Sequence, residues 1–275
     1  MSDNQAHIAH LFYASELRAV EGDSYTLAEE ESKHCLRVLR LNQGDLIHLT
    51  DGEGSLYEAE LTALAAKRCT VCIRQCWRDY GARPYYLHLA VAPTKSPERY
   101  EWMVEKATEM GFDALTPFIS AHSERRSGGK TERVKRVAVA AMKQSLKAAL
   151  PRIHEPISLE ALLRQPFEGH KFIAHCQEGE RKDLEEALTE LAAKPLLEAP
   201  PRFLVLIGPE GDFSPQEVAL AQAQGFVPVH LGPSRLRTET AGVLAVAFIY
   251  AKTASWHATL GESQRISPSR GQNCS

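Results

Sequence analysis

Over residues 1–80 the chain alternates short apolar runs with polar breaks, and the runs are strand-length. Leu11–Tyr13 and Tyr25–Leu27 read as extended, and Ala28–Arg40 reads as a helix carrying Leu36, Val38 and Leu39. Asp45–Thr50 and Leu56–Leu64 flank Asp51-Gly-Glu-Gly54, a hairpin signal, and Lys67–Cys76 alternates like a strand. These elements predict a small β-rich module. Asp79–Pro84, with Gly81 and Pro84, reads as a linker.

Beyond it the period changes. Strands are expected at Tyr86–Ala92, Ala114–Ile119, Lys171–His175, Phe203–Ile207 and Phe226–Leu231. Helices are expected at Pro97–Met110, Glu132–Ala149, Arg181–Ala193, Pro215–Gln224 and Glu239–Trp256. Strand and helix in alternation predict an α/β domain with a mainly parallel sheet. In such a sheet ligands sit outside the carboxyl ends of the strands. That directs attention to Pro93–Ser96, His122–Gly129, His175–Gly179, Gly208–Phe213 and Gly232–Thr238. The expected organisation is a β domain over 1–79, an α/β domain over 85–260, and a polar, disordered tail over 261–275.

The 275 residues suffice for two ordinary domains, and 24% charged with 44% hydrophobic residues excludes wholesale disorder. The longest uncharged apolar run, Ala241–Ala251, is far short of the roughly 18 residues a membrane span needs. Residues 1–20 show no basic start leading into an apolar core, so a secretory signal is not expected. Cys69, Cys72 and Cys76 have metal-like spacing but no fourth ligand follows at finger-like distance. The six cysteines are therefore expected as reduced thiols in a cytoplasmic protein without a bound metal.

Net charge is −3, which taken alone argues against a nucleic-acid partner. Its distribution argues otherwise. Residues 1–80 carry 8 basic and 13 acidic groups, whereas residues 121–152 carry 9 basic groups against Glu124 and Glu132. Val134, Val137, Ala138, Ala141 and Met142 give that basic stretch an apolar helical stripe. The basic residues either form an ordinary solvated helix face or contact a phosphate backbone.

Two loops carry the chemistry. Gly208-Pro-Glu-Gly-Asp-Phe-Ser214 follows a strand, and Ser214, Pro215 and Glu217 form a helix start with a capping box. That explains half of the motif. The two glycines before it allow a sharp turn and close approach of backbone to a ligand. Leu231-Gly-Pro-Ser-Arg-Leu-Arg-Thr-Glu-Thr-Ala241 opens an apolar helix with polar groups in its first turn. Such groups are costly near a core unless they bind each other or a ligand. No Gly-x-Gly-x-x-Gly or Gly-x-Ser-x-Gly occurs, so a dinucleotide fold and a hydrolase elbow are unsupported.

The two motifs together resemble the bacterial 16S ribosomal RNA uridine N3-methyltransferase family of the SPOUT superfamily. His34-Cys-Leu-Arg-Val-Leu-Arg40 is similar to its amino-terminal PUA-like module, and Trp102–Gly111 and Gln144-Ser145 match further segments. Asp212 stands where many members have a second glycine. The resemblance implies a knotted parallel-sheet SPOUT domain after a PUA-like domain, a homodimer, and S-adenosylmethionine as cofactor. The implied partner is the 16S rRNA of the small ribosomal subunit. The cofactor residues it implies are Leu206, Gly208, Glu210 and Gly211, then Leu231, Gly232, Leu236, Arg237, Glu239 and Thr240. Arg237 is expected to stabilise negative charge on the uracil carbonyls, with Glu239 orienting it or taking the N3 proton. The alternative is that this pair only anchors the knot. RNA contacts are expected from Arg37, Arg40, Lys95, Arg125 and Arg126. Two other readings stay open: a SPOUT enzyme modifying another position, and a non-catalytic ribosome-assembly factor.

Overall fold

The computed structural model describes residues 8–19, 22–65, 67–124, 131–192 and 200–260. The expected tail, and Arg125 and Arg126 of the basic loop, lie outside the described residues. The chain forms two compact units.

The first contains β1 (Leu11–Tyr13), β2 (Ser24–Thr26), α1 (Glu29–Lys33), β3 (Leu46–Thr50), β4 (Leu56–Ala65) and β5 (Arg68–Trp77). They form one sheet in the order β1-β3-β4-β5-β2, with β1 parallel to β3 and the other pairs antiparallel. Alternation puts Ala59 and Leu61 of β4 and Cys69 and Val71 of β5 into a core with Phe12, Leu27, Ile47 and Leu49. Cys69 is buried there while Cys72 and Cys76 are part-exposed, the spread that strand geometry gives. All five cysteines among the described residues are free.

The helix expected over Ala28–Arg40 is broken in two. α1 gives way to a π turn over His34–Val38, closed by Leu39 N–H donating to the His34 carbonyl at 3.1 Å. A single π turn is commonly a functional insertion. Here it buries Cys35 while leaving Arg37 and Val38 exposed, and the chain leaves it through Arg40 at φ +54°.

The second unit contains β6 (Tyr86–Val91), α2 (Pro97–Met110), β7 (Ala114–Ile119), α3 (Thr131–Gln144), β8 (Arg152–Ile153), β9 (Ile157–Ser158) and α4 (Leu159–Leu163). β10 (His170–Ala174), β11 (Lys182–Asp183), α5 (Leu184–Ala192), β12 (Arg202–Ile207), α6 (Pro215–Ala223), β13 (Val227–His230) and α7 (Thr238–Leu260) follow. Its strands run in the order β11-β13-β10-β12-β6-β7-β8, with β9 beside β7, and every pair is parallel. The fold class expected from the sequence, a parallel-sheet SPOUT domain with a small β-rich domain before it, is the one observed. From β12 the chain passes through α6 to β13, two strands away, and returns as α7 to pack on α2, α5, β6 and β12. Among the described residues no helix is long and apolar enough to cross a membrane.

One helix is shorter than its periodicity suggests. α3 was expected to reach Ala149 but ends at Gln144, and Leu146 adopts φ +54°. Met142–Leu150 belongs instead to the first unit. Lys143 Nζ lies 2.6 Å from Glu31 Oε1, Thr50 Oγ1 donates to the Ala148 carbonyl at 2.8 Å, and Leu150 N–H donates to the Gly52 carbonyl at 2.8 Å. The apolar stripe that suggests a continuous helix therefore serves two partners. The two-residue strands β8, β9 and β11 and the five-residue α4 were not anticipated, being too short to leave a period.

Candidate cofactor site

Parallel strands bring the two motifs to one end of the sheet. β10, β12 and β13 are neighbours or next neighbours, and the loops after them surround a cavity of about 1060 Å³. Its wall takes Ile207, Gly208, Pro209 and Glu210 from the loop after β12, and Leu231–Thr238 from the loop after β13. Gly232 stands at φ +103°, and a Cβ built there would meet nothing within 4 Å. That is a glycine kept for backbone conformation and for open space beside the chain.

The loop after β12 is held by its own carboxylates. Glu210 Oε1 accepts from Lys95 N–H at 3.0 Å, drawing in the loop after β6. Glu217 Oε1 accepts from Ala121 N–H at 2.7 Å, drawing in the loop after β7. Ser214 and Glu217 make the full capping box at the start of α6. Asp212 adopts φ +61°, the left-handed conformation that glycine takes most easily and aspartate tolerates. Its Oδ2 accepts from Cys176 N–H at 2.9 Å, which ties the loop after β10 to that after β12. The carboxylate at 212 thus supplies a hydrogen bond that a glycine could not make.

The structure sorts the sequence-derived candidates. Gly208, Glu210, Leu231, Gly232, Leu236 and Arg237 line the cavity. Leu206 is fully buried in the core beneath it, and the lining position falls to the next residue, Ile207. Gly211 packs on His122, whose Nδ1 lies 3.1 Å from the Gly211 carbonyl. Thr240 is exposed on α7, away from the lining. Glu239 is buried, and its Oε1 faces Arg99 Nε of α2 at 3.8 Å. The expected Arg237–Glu239 pairing is absent among the described residues; Arg237 is exposed at the rim.

Of the expected RNA contacts, Arg37 and Arg40 are exposed on the first unit. Lys95 projects into solvent with its Nζ 3.0 Å from Glu124 Oε2. The basic stretch is less available than its charge suggests: Arg133 pairs with Glu101 at 2.6 Å, Lys135 with Glu132 at 2.8 Å, and Lys143 with Glu31. The solvated-face reading accounts for Arg133 and Lys135, whereas Lys143 is part-buried against Glu31.

Sequence reasoning missed His175, Cys176, Arg181, Asp183 and His230, which line the cavity from the β10, β11 and β13 side. The signal was present in the position of His175–Gly179 at a strand's carboxyl end, but no motif marks it.

A family model described as an RNA methyltransferase domain matches residues 82–250, and one described as an RNA methyltransferase PUA domain matches residues 27–73. The chain belongs to the RNA methyltransferase family. A relative from Aquifex aeolicus named ribosomal RNA small subunit methyltransferase E is 31% identical over 247 residues, covering 87% of this chain and 98% of the relative. Among solved structures, a probable rRNA methyltransferase from Porphyromonas gingivalis is 40% identical with a TM-score of 0.79, covering 90% of this chain and 99% of its own. The Neisseria gonorrhoeae ribosomal RNA small subunit methyltransferase E, solved bound to S-adenosyl methionine, is 27% identical with a TM-score of 0.75. That match covers 89% of this chain and 98% of the other. The matches span both units, so this RNA methyltransferase shares its small unit as well as its α/β unit with these proteins.

Proposed function

We propose that this chain transfers a methyl group from S-adenosylmethionine to N3 of a uridine in the 16S rRNA of the small ribosomal subunit. The resemblance puts that uridine at position 1498 of bacterial rRNA. The observation that carries the reading is the cavity at the carboxyl ends of β10, β12 and β13, in a chain of the RNA methyltransferase family. Its residues fit a nucleoside cofactor: an apolar wall of Ile207, Leu231 and Leu236, open space at Gly232, and polar side chains among them.

The cofactor, when bound, supplies an electrophilic methyl group. The chain must then align N3 with it and lower the cost of losing the N3 proton. Arg237, exposed at the rim and without an ion-pair partner among the described residues, is free to stabilise negative charge developing on the uracil carbonyls. Glu239, buried against Arg99, suits a positioning role at the start of α7 better than a partnership with Arg237. RNA would be held by Arg37 and Arg40 of the small unit and by Lys95, Arg125 and Arg126. The Lys95 ammonium is held by an exposed ion pair with Glu124, which a phosphate can displace at little cost. We read the working unit as a cytoplasmic homodimer on the family resemblance. Trp102 of α2 and Tyr250 of α7, both large and about half exposed, support a second copy.

The test is transfer from labelled S-adenosylmethionine to small subunits lacking the modification, followed by mass mapping of the methylated nucleoside. N3-methyluridine is the expected product. A ribose 2′-O-methyl product would overturn the position, and binding of both ligands without transfer would favour an assembly factor. Single-turnover transfer by folded Arg237→Ala should be slowed by at least ten-fold.

A further inference from the structure

The far wall of the cavity contains a group the reading above does not use. His175 directly follows β10, is 6% exposed, and lines the cavity. Neither its Nδ1 nor its Nε2 has a hydrogen-bond partner among the described residues. Arg181 holds it from behind by donating through Nη1 to the His175 carbonyl at 2.6 Å, and leaves its own Nε buried and unpartnered. Three of the five buried, unpartnered side-chain nitrogens among the described residues therefore stand at this one cavity. A buried polar group without a partner costs stability, so a concentration of them where a ligand would lie points to a ligand that satisfies them.

We infer that His175 is a cofactor-binding residue that hydrogen-bonds an uncharged group of the cofactor's nucleoside half. The inference rests on the cofactor reading given above. Three observations choose the nucleoside over the amino-acid end. Burial pushes the His175 pKa down, with Asp212 opposing and Arg181 reinforcing, so the ring is neutral near pH 7. A neutral imidazole offers one N–H and one lone pair, which match hydroxyl and aminopurine groups. Asp212 and Arg181 both act on the ring and oppose one another, so no uncompensated cation is offered to a ligand carboxylate there, whereas Arg235 and Arg237 lie on the loop after β13.

The experiment is calorimetric titration of the full chain with two probes, S-adenosylhomocysteine and 5′-methylthioadenosine, which share the nucleoside and differ in the amino-acid end. His175→Leu should weaken both by a similar factor, roughly ten-fold. The ligand-free melting temperature should hold or rise, because a costly orphan has been removed. His175→Gln, which keeps a donor and an acceptor, should recover part of the affinity. Unchanged affinity in His175→Leu, or a loss confined to S-adenosylhomocysteine, would overturn the inference. So would a fall in the ligand-free melting temperature that accounts for the lost binding and is not relieved in His175→Gln. The wild-type titration keeps the two readings apart. Wild-type binding with an unaltered His175→Leu titration removes the role of His175 alone, and absent wild-type binding removes the cofactor reading with it.

Discussion

Thr238 Oγ1 donates to the carbonyl of Gly208 at 3.0 Å, so the first turn of α7 is tied to the loop after β12 by one buried bond. This bond joins the two motifs that the sequence presents thirty residues apart, and both ends line the cavity. Thr238→Val keeps the shape and removes the donor, leaving a carbonyl that must find another partner. We expect a loss of about 1–2 kcal/mol in stability and weaker S-adenosylmethionine binding, with Thr238→Ser restoring both. Denaturant unfolding and calorimetry check this; wild-type binding by the valine variant would show that the cavity does not depend on the tie.

Gly211 has a different reason for being glycine. A Cβ there would stand 2.8 Å from His122 Cβ and 3.2 Å from the His122 carbonyl oxygen, atoms with little freedom to yield. Gly211→Ala should therefore cost roughly 1–3 kcal/mol by displacing the loop after β7. Adding His122→Gly removes the nearer of the two obstructions, so the double variant should recover a measurable part of the loss in chemical denaturation. No recovery would place the strain elsewhere.

These two contacts show what was legible in the sequence. The Gly208–Ser214 and Leu231–Ala241 motifs announce a ligand-facing turn and a helix start, because capping boxes and strand-to-helix glycines have local signatures. What each residue faces is settled by topology. Nothing in the order of residues says that Gly211 meets His122, that Glu239 meets Arg99, or that Ile207 takes the lining place expected of Leu206. The α3 stripe misled for a related reason: periodicity reports that one side is apolar, and Met142–Leu150 satisfies it with a different partner from the rest of the helix. His175 stands at the start of one of the loops the sequence singles out, but its importance lies in lacking a partner, which only three dimensions show.

Glu239 and Arg99 form a pair that can be measured against the expectation that Glu239 serves Arg237. In a double-mutant cycle on S-adenosylmethionine affinity, Arg99→Ala and Glu239→Gln should be non-additive by up to about 1 kcal/mol. The 3.8 Å separation and the half-exposed Arg99 side chain keep the figure small. Arg237→Ala should combine additively with Glu239→Gln. Coupling in the second pair and none in the first would restore the original partnership.

Arg37 and Arg40 leave the π turn on either side of Val38, which is 65% exposed. Charges held at an exposed, irregular turn suit phosphate contact, and each phosphate neutralised contributes a fixed part of the salt dependence. Arg37→Ala with Arg40→Ala should lower the slope of log affinity against log salt by about 1–2, read by fluorescence anisotropy with a small-subunit RNA fragment. The same test applied to Arg125→Ala with Arg126→Ala asks whether the basic loop contributes. An unchanged slope would remove the pair in question from the RNA surface.

His88, Thr116 and His154 form a chain in the second unit: His88 Nε2 lies 2.7 Å from Thr116 Oγ1, which lies 2.8 Å from His154 Nδ1. The hydroxyl donates to one ring and accepts from the other, an arrangement that needs the accepting ring to be neutral. Burial first, and then His154 and Arg202 nearby, together lower the His88 pKa from 6.5 to about 4. Burial lowers His154 as well. The sign follows from proton counting. Between about pH 4 and 6.5 the unfolded chain holds a proton that folded His88 does not, so stability is full above 6.5 and is lost as pH falls toward 4. The fall in His88 pKa corresponds to on the order of 3 kcal/mol across that window. His88→Gln gives up the titration but can keep the bond to Thr116. Its unfolding free energy, measured by urea denaturation at a series of pH values, should therefore decline less steeply than that of the wild type over the same window. Equal slopes would mean that other groups govern the acid limb and that the His88–Thr116–His154 chain is not where the protein first fails.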